Sequence, residues 1–191
     1  MRSFIQFVIY MTIGVALGLG STWYVLDNGI SLDAVQVGAW KVRTEAGQPI
    51  ADPYTSAYVA RIGHIPLKIE EAVYFFANRD DEGEPLDGKC TYTLSGPNLR
   101  SAWWSISAHN EDGSVINNPA KRHSFTNASL LFDEDQTFQL SISSQAGSGN
   151  WLPLTKAGPF LLVLRLHGPA PDYVRAPATI PVPGIEREGC Q

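Results

Sequence analysis

Hydrophobic and polar residues change their pattern twice along the chain. The first stretch, residues 4–26, contains no charged residue. As a helix rising about 1.5 Å per residue it would reach roughly 34 Å, enough to cross a hydrocarbon core of about 30 Å. Trp23 and Tyr24 stand at its far end, where amphipathic rings favour the headgroup layer. Arg2 precedes the run, Asp27 and Asp33 follow it, and the next basic residue is Lys41. The positive-inside rule then predicts a cytoplasmic N-terminus and a chain that lies beyond the membrane after Asp27. A cleaved signal peptide is the competing reading, because a basic start, an apolar run and small residues such as Gly18 and Gly20 also suit one. Trp23-Tyr24-Val25-Leu26 carries the apolar run past such a cut, which favours a retained signal-anchor over residues 1–26.

Residues 27–36 read as a linker and 37–191 as one β-rich domain. A first strand is expected at residues 37–42. Asp52-Pro53 predicts a helix start, with Asp as N-cap and Pro at the first helical position. Tyr54, Ala57, Tyr58 and Ile62 follow at helical spacing, and Gly63 closes the element. A second short helix is expected from Pro66 to Ala72. Beyond it the period falls to two, and strands are predicted at residues 73–77, 90–94, 102–108, 137–143 and 160–167. Gly- and Asp-rich clusters such as Asp80-Asp81-Glu82-Gly83 and Gly147-Ser148-Gly149-Asn150 supply turns between them. Prolines recur from Pro169 to Pro183, which predicts an extended strap over the surface. The expected fold is mainly β: a jelly-roll-like β-sandwich with one or two short N-terminal helices, preceded by a single transmembrane helix.

Composition narrows the function. Apolar residues make up 44% of the chain and charged residues 17%, which excludes a disordered protein. The net charge is −5, and the part from Asp27 onward is more acidic still because Arg2 is the only charge before it. Phosphate affinity needs clustered Lys and Arg, so no nucleic-acid partner is expected. Cys90 and Cys190 are the only cysteines; outside the cytoplasm, two with no third predict a disulfide that ties the proline-rich tail to the sheet.

Motifs for chemistry are sparse. His64, His109, His123 and His167 form neither H-x-H nor H-E-x-x-H. His109-Asn110-Glu111 has the H-x-E spacing of zinc deaminases but lacks their P-C-x-x-C, so neither a metal nor a cofactor is expected. No G-x-S-x-G or S-x-x-K marks a serine nucleophile. Glu111, Asp112, Asp133, Glu134 and Asp135 lie in polar turns and read as solvated. The strand at 160–167 says more. Phe160, Leu162, Leu164 and Leu166 share one face, while Leu161, Val163, Arg165 and His167 share the other. Both faces begin apolar, which predicts a strand buried on both sides and an Arg165 that must be paired or hydrogen-bonded. Carbonyls near Asn150-Trp151 or a carboxylate are the expected partners. Arg165 is then either a structural group or, with His167, part of a ligand cleft. Trp103 and Trp104 point to opposite faces of one strand, so at least one enters the core. Trp beside Asn and His is how sugar-binding surfaces are built, although Trp in sandwiches also serves as plain core. Trp104, Asn150, Trp151, Arg165 and His167 are the candidate ligand-binding residues.

Trp103-Trp104-Ser105-Ile106, Asn118-Pro119, Ser124-Phe125, Asn150-Trp151-Leu152-Pro153 and the strand ending Leu164-Arg165-Leu166 together resemble the domain of unknown function family 1214, over about residues 36–190. The N-W-L-P block followed by L-R-L is the most specific part; the family often has Tyr where this chain has His167. The resemblance implies a β-rich, jelly-roll-like domain found beside a second uncharacterised domain, number 1254, sometimes fused to it. Here a membrane anchor stands in that place, which makes a domain-1254-type protein a candidate partner, besides the lipid bilayer contacted through residues 4–26. Asp52-Pro53-Tyr54 and the terminal Gly-Cys resemble short anchored members from α-proteobacteria. The expected location is thus a bacterial inner membrane, with the N-terminus cytoplasmic and the β-domain periplasmic. Two functions suit these features: a non-enzymatic envelope domain that binds a glycan or a partner protein, or a hydrolase of an envelope polymer. The hydrolase would be complete in itself or completed by a domain-1254-type chain, with Arg165, His167 or nearby carboxylates in its cleft. The missing catalytic signature favours the first.

Overall fold

The computed structural model describes residues 2–27, 34–45, 47–61, 67–155 and 157–190. The uncharged run forms one helix, α1 (Arg2–Asp27), long and apolar enough to cross a membrane. Its large apolar side chains, Phe4 and Trp23 among them, stand exposed. A contiguous apolar surface of that kind marks contact with lipid or with another chain.

The remainder is mainly β. In chain order it contains β1 (Ala34–Val37), β2 (Trp40–Arg43), α2 (Pro53–Arg61), β3 (Ala72–Ala77), β4 (Cys90–Pro97), β5 (Ser101–His109), β6 (Ser124–Thr126), β7 (Thr137–Ser143), β8 (Trp151–Pro153), β9 (Leu161–Pro169), α3 (Pro171–Arg175) and β10 (Gly184–Cys190). Among the described residues the strands form two sheets, one in the order β1-β2-β3-β9-β5-β6 and the other β10-β4-β7-β8. All neighbours run antiparallel except β7 and β8.

Alternation along the strands makes the core. Leu162, Leu164 and Leu166 of β9 and Trp104 and Ile106 of β5 are fully buried, and Tyr92, Leu94, Leu140 and Ile142 answer from the smaller sheet. The Trp104 ring lies 5.4 Å from Phe138, joining the sheets. Each such side chain contributes about 1.5–3 kcal/mol by leaving water. Between Cys90 and Cys190, which pair across the β4–β10 ladder, a disulfide closes a loop of sequence separation 100. Chain entropy alone makes such a cross-link worth about 4–5 kcal/mol.

Several local expectations need correction. Residues 37–42 do not form one strand: β1 and β2 make a hairpin that turns at Gly38, whose φ of 59° suits glycine, and β1 begins inside the expected linker. The helix expected from Pro66 to Ala72 is a turn over Ile69, Glu70 and Glu71, closed on the Lys68 carbonyl, and Ala72 opens β3; Pro66 lies outside the described residues. Asp52 does cap α2, its Oδ1 accepting from the Tyr54 and Thr55 amides at 2.8 and 3.1 Å. The expected stop at Ile62-Gly63 is outside the described residues. The proline-rich tail is not extended throughout: it forms α3 and a 3-10 turn (Pro177–Thr179), each opened by a proline whose missing N–H costs nothing there. It then enters β10, a strand that the sequence reading did not contain; β6 and β8, three residues each, were also absent from it.

Candidate functional site

The outward face of the larger sheet carries an unusual polar row. Trp104, Ile106 and Ala108 of β5 face the core, so Trp103, Ser105, Ser107 and His109 face away from it. On β9 the inward leucines leave Val163, Arg165 and His167 on the same outward face. The register sets Arg165 between Tyr74 of β3 and Ser105 of β5, and His167 between Ala72 and Trp103. Three adjacent strands thus deliver their polar and aromatic groups to one place.

Hydrogen bonds connect the row. The Arg165 Nη1 donates to Ser107 Oγ at 3.1 Å, and Nη2 lies 3.4 Å from His109 Nε2. Ser107 Oγ and His109 Nε2 are 2.9 Å apart, and His109 Nδ1 lies 2.8 Å from the Gly113 carbonyl. A carbonyl only accepts, so Nδ1 carries the hydrogen, and in the neutral ring Nε2 is the acceptor. The direction of the chain follows: Arg165 donates to Ser107, Ser107 donates to His109, and His109 donates to Gly113. Ser105, Ser107 and His109 are buried, while Arg165 is half-buried. Burial pushes the Arg165 guanidinium down, opposed by the nearby Tyr74 phenol; burial likewise raises Tyr74, opposed by Arg165. Among the described residues no carboxylate pairs with Arg165, and the ion pairs Arg100–Asp172 and Arg187–Asp80 lie elsewhere. Beside this charge lies an aromatic group. His167 packs 5.2 Å from Trp103 and edge-on to Tyr74 at 6.1 Å, and Trp103 is 40% exposed.

The five expected binding residues do not form one site. Arg165 and His167 share the outward face just described. Trp104 is 0% exposed in the core, donating from Nε1 to Asn98 at 3.1 Å, and so cannot meet a ligand. Its neighbour Trp103 is the ring that faces out. The alternation was legible, since Trp104 falls in step with Ile106 and Trp103 with Ser105 and Ser107. Asn150 and Trp151 belong to the edge of the other sheet. Asn150 accepts from the Leu131 amide and donates to the Leu131 and Gln139 carbonyls, a clasp between loops. Trp151 donates to Ser143 at 3.2 Å, and its carbonyl accepts from Arg122. The expected partners of Arg165 near Asn150-Trp151 are therefore replaced by Ser107 and His109. Asn150 instead borders an open cavity of about 330 Å³ with Arg122, Phe125 and Leu131. Ser107 and His109 were missed as a pair although Ser107-Ala108-His109 places both on one face of a strand; Tyr74 carried no signal, because only the register brings it to Arg165.

These features define a two-sheet β-sandwich domain preceded by an apolar helix, with a cationic and aromatic patch on one sheet. The chain belongs to the family described as Protein of unknown function (DUF1214), whose model matches residues 71–171. That match includes Tyr74, Ser107, His109, Arg165 and His167. Among solved structures, the VPA0106 protein from Vibrio parahaemolyticus is similar, with a TM-score of 0.62 and 23% identity over 93% of this chain and 44% of that one. A putative uncharacterized protein from Burkholderia cenocepacia aligns at a TM-score of 0.47 and 18% identity, over 93% of this chain and 52% of that one. The chain thus spans about half the length of these structures, and the likeness to the first is one of fold. No curated protein matches.

Proposed function

We infer that the protein is an envelope receptor for an acidic glycan, held in a bacterial inner membrane by α1 with its sandwich in the periplasm. The observation that carries this reading is Arg165, a half-buried guanidinium with no carboxylate partner among the described residues, beside the exposed ring of Trp103. Partial desolvation strengthens a charge-assisted bond to an incoming carboxylate. Trp103 and His167 offer ring faces for a sugar, and Tyr74 a hydroxyl. The disulfide suits an oxidising compartment. The resemblance makes a domain-1254-type chain the protein partner to examine beside the glycan.

The test compares uronic-acid oligosaccharides with their carboxyl-reduced, neutral counterparts, using the detergent-solubilised full chain. The acidic forms should bind more tightly, and Arg165→Met should erase the difference. A charge-assisted hydrogen bond contributes about 1.5–3 kcal/mol, a change of roughly 10- to 150-fold in affinity. Equal binding of both forms would sink the reading.

A further inference from the structure

We propose that Ser107 is an acyl-transfer nucleophile, with His109 as its general base, acting on small O-acyl esters. The proposal rests on the reading above only for where the ester-bearing ligand lies. Three contacts carry it: nucleophile to base at 2.9 Å, base to orienting carbonyl at 2.8 Å, and guanidinium to nucleophile at 3.1 Å. A serine hydroxyl is activated by an adjacent imidazole whose far nitrogen is held by a third group. Here the Gly113 carbonyl holds Nδ1–H and so keeps Nε2 basic toward Ser107; Gly113 is a positioning group. Gly113 has a φ of 82°, which glycine adopts without strain, and ends the Asn110–Gly113 turn that brings its carbonyl back over the ring.

The row is also expensive if it has no task. Ser107 and His109 are 3% and 4% exposed, on a face where neighbouring Val163 shows that apolar side chains fit. Burying hydroxyl, imidazole and guanidinium together costs stability that apolar replacements would not. Arg165 is the half-exposed member of the cluster, so the approach to Ser107 runs past the guanidinium, and the burial of Ser107 restricts the substrate to a small acyl group such as acetyl.

The chemistry balances without a co-reactant other than water. Ser107 Oγ attacks the ester carbonyl carbon as its proton passes to His109 Nε2. The negative charge that develops on the carbonyl oxygen is met by Arg165. The carbon–oxygen bond to the alcohol breaks, and the alcohol leaves with the proton from Nε2. Water then attacks the acyl-serine, giving its proton to Nε2 and its hydroxyl to the acyl carbon, and Nε2 returns a proton to Ser107 as the acid departs.

The experiment treats the full-length protein in detergent with diisopropyl fluorophosphate and locates the adduct by peptide mass spectrometry. An adduct on Ser107 is expected, absent from Ser107→Ala and formed about 100-fold more slowly in His109→Gln. Its rate in the wild type should rise with pH as the imidazole loses its proton, a readout that does not need the His109 variant to fold. A folded wild type without an adduct, an adduct on another serine, or a pH-independent rate would overturn the proposal. Failure of the glycan reading is separate, because labelling by diisopropyl fluorophosphate needs no oligosaccharide: an adduct on Ser107 together with equal binding of acidic and neutral oligosaccharides sinks that reading alone.

Discussion

Arg165 touches the Ser107 hydroxyl and the His109 ring rather than a carboxylate. Ser107 and His109 still bond to one another when the guanidinium is gone. Replacing Arg165 with Met therefore strands little and removes a charge whose desolvation opposes folding; exchanges of this kind are often neutral or stabilising. Arg165→Met should melt at or above the wild-type temperature while losing its preference for acidic ligands. A fall of several degrees would mean that the guanidinium holds the sheet together. At this scale the sequence was half informative. Period two put Arg165 and His167 on one face, but the identity of the groups across from them came from register, which no single strand encodes.

Between elements, Asp87 links the start of β4 to the segment before β9. Its Oδ1 accepts from the Lys89 amide at 2.9 Å and the Gly158 amide at 3.1 Å, and those two bonds hold its carboxyl below the usual carboxylate range. A group whose folded pKa is depressed stabilises above its unfolded pKa, near 4 for Asp, and loses that contribution as pH falls through the folded value. Asp87→Asn should therefore cost stability at pH 6 and progressively less toward pH 3, measured by urea unfolding at each pH. A constant difference across that range would rule out the carboxylate as the cause. Long elements with clear alternation, β3, β5, β7 and β9, were legible in sequence. Short ones were not: β6 and β8 hold only three residues each, too few for a period to show. Their pairing is supplied by the strands next to them. The turn over Ile69, Glu70 and Glu71 failed as a helix because Ala72 is taken up by the ladder to His167, and tertiary pairing overrides weak helical preference.

For the molecule as a whole, the proposed orientation rests on the charges around α1 and is tied to the redox state of the two cysteines. An alkaline phosphatase fusion placed after about residue 40 should be active, as the positive-inside rule requires with Arg2 on one side of the span and acids on the other. Protein taken from the membrane should resist thiol labelling until it is unfolded and reduced, because Cys90 and Cys190 are bonded. An inactive fusion together with freely labelled thiols would place the sandwich in the cytoplasm.

The sequence alone determined the apolar helix, the mainly β class and the cysteine pair, because each depends on composition or on a period confined to one segment; the N-W-L-P block and the strand ending L-R-L signalled the family by resemblance. Only the tertiary structure decided what Arg165 touches and which groups of three separate strands meet around it. The register of β3, β9 and β5 superposes Tyr74, Arg165 and Ser105 from three distant parts of the chain. A one-residue slip would turn every one of those side chains into the opposite face, so the site exists only once both ladders and the buried leucines behind them have locked that register.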